Sequence, residues 1–120
     1  MMLMTDPVLN LVVLRAIGIE RAAEFYSRLG LKFTRHQHGN GPVHFAAELG
    51  GCVFELYPQD PAGPSTLGTR VGFGVSSLDE VIAQLGAYPG AIISPPKNSP
   101  WGRRAVIADP DGHRVELVER

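Results

Sequence analysis

The segment CVFELY (52–57) is echoed by HRVELV (113–118). Each follows a glycine, each alternates apolar with other residues, and each sets a glutamate before a leucine, Glu55–Leu56 and Glu116–Leu117. The two glutamates stand about half of the 120-residue chain apart. Strict alternation is the pattern of a strand with one face buried. A carboxylate at the same place in two such strands asks what surrounds them.

Working outward, the flanking segments repeat as well. LNLVVLR (9–15) reads as a buried strand, and GIERAAEFYSRLG (18–30) reads as a helix with Ile19, Ala22, Tyr26 and Leu29 on one stripe. LKFTRHQH (31–38), PVHFAAEL (42–49) and CVFELYP (52–58) are strands split by the turn residues GNG and GG. PQDPAGPSTLGT (58–69) is a Pro/Gly-rich connector. RVGFGVS (70–76) then restarts the order. SLDEVIAQLG (77–86) is a second helix, with Ser77 and Glu80 in capping-box spacing and a Leu78, Val81, Ile82, Leu85 stripe. GAIIS (90–94), RRAVIA (103–108) and HRVELVE (113–119) are three more strands, the last after the turn DPDG (109–112). PPKNSPWG (95–102) is expected to be a loop. Strand, helix and three strands thus occur twice, a duplication with a period of about 60 residues. The expected organisation is one domain over 1–120, with module one at 8–58, the connector at 59–69 and module two at 70–120.

Bulk properties narrow the function classes. A net charge of −1 gives no electrostatic footprint for nucleic acid or an anionic membrane. The single cysteine, Cys52, excludes an intrachain disulfide and suits a reducing compartment. MMLMTDPVLN (1–10) lacks the charged and apolar regions of a signal peptide, so a cytoplasmic location is expected. The chain holds no G-x-S-x-G, C-x-x-C, P-loop or H-E-x-x-H motif.

Strand parity assigns the faces. Phe54 and Leu56, Val115 and Leu117, Val71 and Phe73, and Val12 and Leu14 point to the helices. The opposite faces collect Leu11, Glu55, Arg70 and Glu116, as a cavity lining would.

LVVLRAIGIERAAEFYSRLGL, VGFGVSSLDEVIAQL and the closing DPDGHRVELVE together resemble the vicinal oxygen chelate superfamily. That superfamily holds glyoxalase I, extradiol dioxygenases, fosfomycin-resistance enzymes and bleomycin-binding proteins. The resemblance implies an α+β fold of two βαβββ modules, whose curved mixed sheets surround a cavity, and a homodimer. In metal-dependent members four cavity positions hold one divalent ion. Carried over, these are Leu11, Glu55, Arg70 and Glu116, where glyoxalase I-like members have His, Glu, His and Glu. Leucine cannot coordinate, and arginine brings a permanent positive charge to the ion's place. The expectation is therefore no metal ligand set and no cofactor.

Glu55 and Glu116 are the catalytic candidates. Arg70, His44, Tyr57, Trp101 and Arg104 are the ligand-binding candidates. His44 shares the cavity parity of Ala46 and suits a general base, a replacement metal ligand, or an imidazole held by hydrogen bonds. His36 and His38, two apart on one strand, could share a metal or lie on a solvated surface. Trp101 is read either over the cavity mouth or as half-buried in a rigid connector. Cys52 is read as a buried, inert thiol, and His113 as the end of a turn.

The expected function is a glyoxalase-like protein that binds a small organic molecule without the family metal. The alternative is a lyase, isomerase or dioxygenase that uses Ni, Zn, Fe or Mn on a substrate with adjacent oxygens.

Overall fold

The computed structural model describes residues 6–120. Module one runs β1 (Leu11–Ala16), α1 (Ile19–Ser27), β2 (Thr34–His36), β3 (His44–Leu49) and β4 (Cys52–Pro58). Module two repeats the order as β5 (Arg70–Val75), α2 (Leu78–Gln84), β6 (Ile92–Ser99), β7 (Gly102–Ala108) and β8 (Arg114–Glu119). Each module forms a four-stranded mixed sheet, in the orders β1-β4-β3-β2 and β5-β8-β7-β6. The pairs β1/β4 and β5/β8 are parallel, and the remaining pairs are antiparallel.

The alternation read from the sequence is the alternation of burial. In β4, Phe54 and Leu56 are buried while Glu55 and Tyr57 are only partly so. In β8, Val115 and Leu117 are fully buried, and Arg114 and Glu116 lie on the other face. The helix-facing sides of both sheets feed one hydrophobic cluster, including Leu14, Phe25, Phe54, Leu78, Ile107 and Leu117. Burying each such side chain stabilises the fold by about 1.5–3 kcal/mol. Tyr26 joins the modules, with its ring centroid 4.9 Å from that of Phe54 and 6.1 Å from that of Phe73.

α1 stops at Ser27 and α2 at Gln84, each short of its expected glycine stop, with Leu85–Ala87 a 3-10 turn, and two strands differ more. β2 keeps only Thr34–His36 of the expected 31–38, because Leu31 turns into the core. β6 continues through PPKNS, where a loop was expected. Proline is tolerated there because β6 is an edge strand, and its pairing with β7 shifts register between Ser94 and Lys97.

The turn after β7 is built on one carboxylate. Asp109 Oδ1 accepts the backbone N–H groups of Asp111, Gly112 and His113, each at 3.0 Å. Its Oδ2 accepts the Tyr26 hydroxyl at 2.7 Å and the His113 Nδ1–H at 2.9 Å. His113 Nε2 lies 2.8 Å from Thr66 Oγ1, which accepts the Arg15 N–H at 2.9 Å. His113 does end the turn, but it is also a buried hub. Burial opposes ionisation of Asp109, yet the bonds from His113 and Tyr26 hold its pKa below the ordinary 3.8. The Tyr26 hydroxyl is pushed far up, by burial first and then by the Asp109 charge.

A depressed carboxylate contributes stability above its unfolded pKa and loses it as pH falls through the lower folded value. Asp109→Asn is therefore expected to cost about 3 kcal/mol at pH 7, because an amide NH₂ in place of Oδ2 would face the Tyr26 and His113 donors. The gap to wild type should shrink below pH 3.8. Urea denaturation across that range checks both, and a pH-independent gap would refute the linkage.

Helix α2 starts as its sequence predicts, with Ser77 Oγ accepting the Glu80 N–H at 3.3 Å. Glu119 of β8 takes the Leu78 N–H at 2.8 Å. Ser77→Ala should cost about 1 kcal/mol. A melting curve superimposable on wild type would show that Glu119 alone suffices.

Candidate functional site

The face of module one away from the core is a polar and aromatic surface. Cross-strand pairing sets Thr34 opposite Ala46, His36 opposite His44 and Ala46 opposite Glu55. Parallel pairing sets Arg15 beside Tyr57. Parity brings all of them to one side. A cleft of about 600 Å³ results, whose lining includes His36, His38, His44, Ala46, Val53 and Glu55.

His44 organises this cleft. It is only 2% exposed. Its Nδ1 lies 3.2 Å from the Pro42 carbonyl, which can only accept, so Nδ1 carries the proton. The other ring nitrogen, Nε2, faces the Tyr57 hydroxyl at 3.4 Å and Glu55 Oε2 at 3.9 Å. The His44 and Tyr57 rings stack, 4.2 Å between centroids and 8° from parallel. On Tyr57 sits the Arg15 guanidinium, its Cζ 5.3 Å from the ring centroid, a cation–π contact. Arg15 was not singled out from the sequence. Its parity with Leu11 and a parallel β1/β4 pairing were the available signal.

The corresponding face of module two is an ion-pair cluster. Arg70 Nη1 bonds Glu116 Oε2 at 3.1 Å, and Arg104 Nη2 bonds the other oxygen, Oε1. Arg104 reaches it because Val106 lies opposite Glu116 in the β7/β8 pairing, and Arg104 is two residues back on the same face. Both carboxylate oxygens of Glu116 are thus held by guanidinium groups. The structure brings Arg70, Arg104 and Glu116 together, and His44, Tyr57 and Glu55 together, in two separate groups. Arg70 instead borders a second cleft of about 860 Å³ between the modules, with Val12, Cys52, Phe54, Val71 and Phe73.

Trp101 is 75% exposed at the turn between β6 and β7, not half-buried in a connector. Cys52 is partly open at that second cleft rather than buried. Cys52 shares the face of Phe54 but lies at the start of β4, where the second cleft opens.

This architecture and this sequence have relatives. Residues 8–117 match the Glyoxalase/Bleomycin resistance protein/Dioxygenase superfamily, and the chain belongs to that family. A protein of Mycolicibacterium smegmatis, described as uncharacterized, is 31% identical over 92% of this chain and 91% of its own. Among solved structures, TnmS3, an antibiotic binding protein from Streptomyces sp. CB03234, superposes with a TM-score of 0.76. It is 25% identical and covers 97% of this chain and 98% of its own. A glyoxylase/bleomycin resistance protein/dioxygenase domain from Frankia sp. EAN1pec has a TM-score of 0.75 at 21% identity, over 97% and 100% of the two chains, and shows the fold alone.

As a donor set, Leu11, Glu55, Arg70 and Glu116 do not fit the divalent ion of the metal-dependent members. Leu11 has no lone pair, Arg70 is a cation, and Glu116 is held by two arginines. Arg70 is 54% exposed, and Glu116 keeps Arg104 when it is lost. Arg70→Ala should therefore cost only about 0.5 kcal/mol. Removing Arg70 and Arg104 together should cost about 2 kcal/mol, more than the sum of the single losses, because the carboxylate is then unpaired. A double-mutant cycle by denaturation measures this, and strict additivity would show that the arginines act independently.

Proposed function

We propose that this chain is a small-molecule-binding member of the family, which holds an organic ligand in the cleft over module one without the family's metal chemistry. The observation that carries this reading is the His44–Tyr57 stack, with Arg15 on one ring and Glu55 beside the other. Tyr57 is packed between His44 and Arg15 and holds the imidazole in place at the cleft wall, so that fixed imidazole and the Glu55 carboxylate are the groups offered to a hydrogen-bonding ligand. A cleft of about 600 Å³ is of small-molecule size. The likeness to an antibiotic-binding protein supports the same class of ligand.

The cleft is closed by a second copy. Within one chain, α1 packs on β1, β3 and β4, and α2 on β6, β7 and β8, all from the core side. The glutamate-bearing faces stay open, with Leu11 50% exposed at the edge of the first. A homodimer that lays one copy's module two over the other's module one covers both.

The enzyme reading assigns Glu55 or Glu116 a proton-transfer role. Glu55 suits it better, since Glu116 is held by Arg70 and Arg104.

The test is calorimetric titration of the chain with a panel of polycyclic aromatic antibiotics. At least one should bind, with Tyr57→Ala weakening it about tenfold or more, because the imidazole it holds by stacking is then free to move. No binding across the panel, together with turnover of a hemithioacetal of methylglyoxal by the same preparation, would replace this reading with the lyase.

A further inference from the structure

We infer that His36, His38 and His44, with Glu55 as fourth donor, form a divalent metal site of the Zn²⁺ type on the face of module one. It shares no residue but Glu55 with the family's ion positions, and it does not depend on the ligand-binding reading. A histidine at the end of one strand, a second two residues on in the turn that follows, and a third directly across on the neighbouring antiparallel strand bring three imidazoles to one patch of surface. Here His36 and His38 are the first two, and His44 is the register partner of His36. The ring centroids are 5.2 Å apart for His38–His44, 5.8 Å for His36–His44 and 6.0 Å for His36–His38. Nitrogens held about 2 Å from one tetrahedral ion put ring centres roughly 5 Å apart, so the spacing already suits three ligands.

His44 supplies the second observation. Its Nδ1–H is spent on the Pro42 carbonyl, the outer-shell bond that ordinarily fixes a metal-binding histidine. The ring is 2% exposed, and its Nε2 faces Glu55 Oε2 at 3.9 Å and the Tyr57 hydroxyl at 3.4 Å, a long contact that an ion would displace. An ion between that nitrogen and the Glu55 oxygen would take a ligand from each. The rings of His36 and His38 now lie 16° from parallel. Among the described residues no three donors converge on one point. Both residues are exposed, so turning their side chains costs little, while His44 stays fixed and the Glu55 carboxylate closes on it by about half an ångström to reach tetrahedral spacing. Lys32 also lines the cleft and opposes a cation, but Glu48 and Glu55 there outweigh it. Three imidazoles and one carboxylate favour Zn²⁺, Co²⁺ or Ni²⁺ over Mg²⁺ or Ca²⁺.

The experiment is titration of the untagged, chelator-treated full chain with ZnCl₂, followed by calorimetry and by melting temperature, and with CoCl₂ followed by visible absorption. One ion per chain is expected to bind, to raise the melting temperature, and to give with Co²⁺ the strong visible bands of four-coordinate cobalt. His38→Gln, at an exposed position that leaves the fold intact, should weaken Zn²⁺ about tenfold or more. The conservative Glu55→Gln should weaken it too, while Glu116→Gln should bind like wild type. Absence of binding at about 100 µM Zn²⁺ would overturn the site. So would affinity unchanged in a His36→Gln/His38→Gln double variant, or affinity lost in Glu116→Gln. The aromatic titration is run on the chelator-treated chain, so that although the two readings share His44 and Glu55 each can fail while the other holds.

Discussion

The Asp109 carboxylate is the constraint on which the relation between the two modules rests. It sits in module two and takes five donors, three from its own turn and one each from His113 and Tyr26. Tyr26 belongs to the helix of module one, and its ring lies on Phe54 and Phe73. Through His113 the same cluster reaches Thr66 of the connector and, through Thr66, the backbone of β1. A buried charge that lost these partners would be costly, so the modules are held in the one arrangement that keeps all of them. Apolar packing alone would leave more freedom, because hydrophobic contact has no direction.

The strand pleat does the rest. Each strand gives alternate residues to the shared core and leaves the others to the far face, so one set of hydrophobic residues decides both stability and lining. The two far faces have diverged despite a common pattern. Module one carries imidazoles and a carboxylate over one cleft, with a phenol stacked behind His44. Module two carries a carboxylate clamped by two arginines. The duplicated glutamates thus work in unlike surroundings.

The fold was legible in the sequence because it is written in periodicity. The helix stripes, the Ser77 cap and the GG and DPDG turns are local signals, and all reappear as structure. The site was less legible because its partners are set by register between strands far apart in the chain. Parity placed Glu55 and His44 on one face, but their closeness depends on Ala46 pairing with Glu55. Arg104 was named as a ligand contact, and its pairing with Glu116 was not foreseen because it depends on the β7/β8 register. The hub at Asp109 and His113 looked like a turn and its end. Only the approach of Tyr26, distant in sequence, turns it into a buried network. The strand through Pro95 and Pro96 was read as a loop because proline argues against a strand except at an edge, and edges are a property of the assembled sheet.

Those two prolines have a consequence for misassembly. A free sheet edge is a template on which another chain can add a strand, and long continuous edges are the hazardous ones. At the outer end of the second sheet, β6 presents prolines, Lys97 and irregular register. At the outer end of the first, β2 is three residues long. Neither can propagate a fibril-like ladder. The opposite ends are β1 and β5, six residues each and free of proline. The chain therefore discourages growth at two of its four edges and leaves β1 and β5 as those where another strand could add.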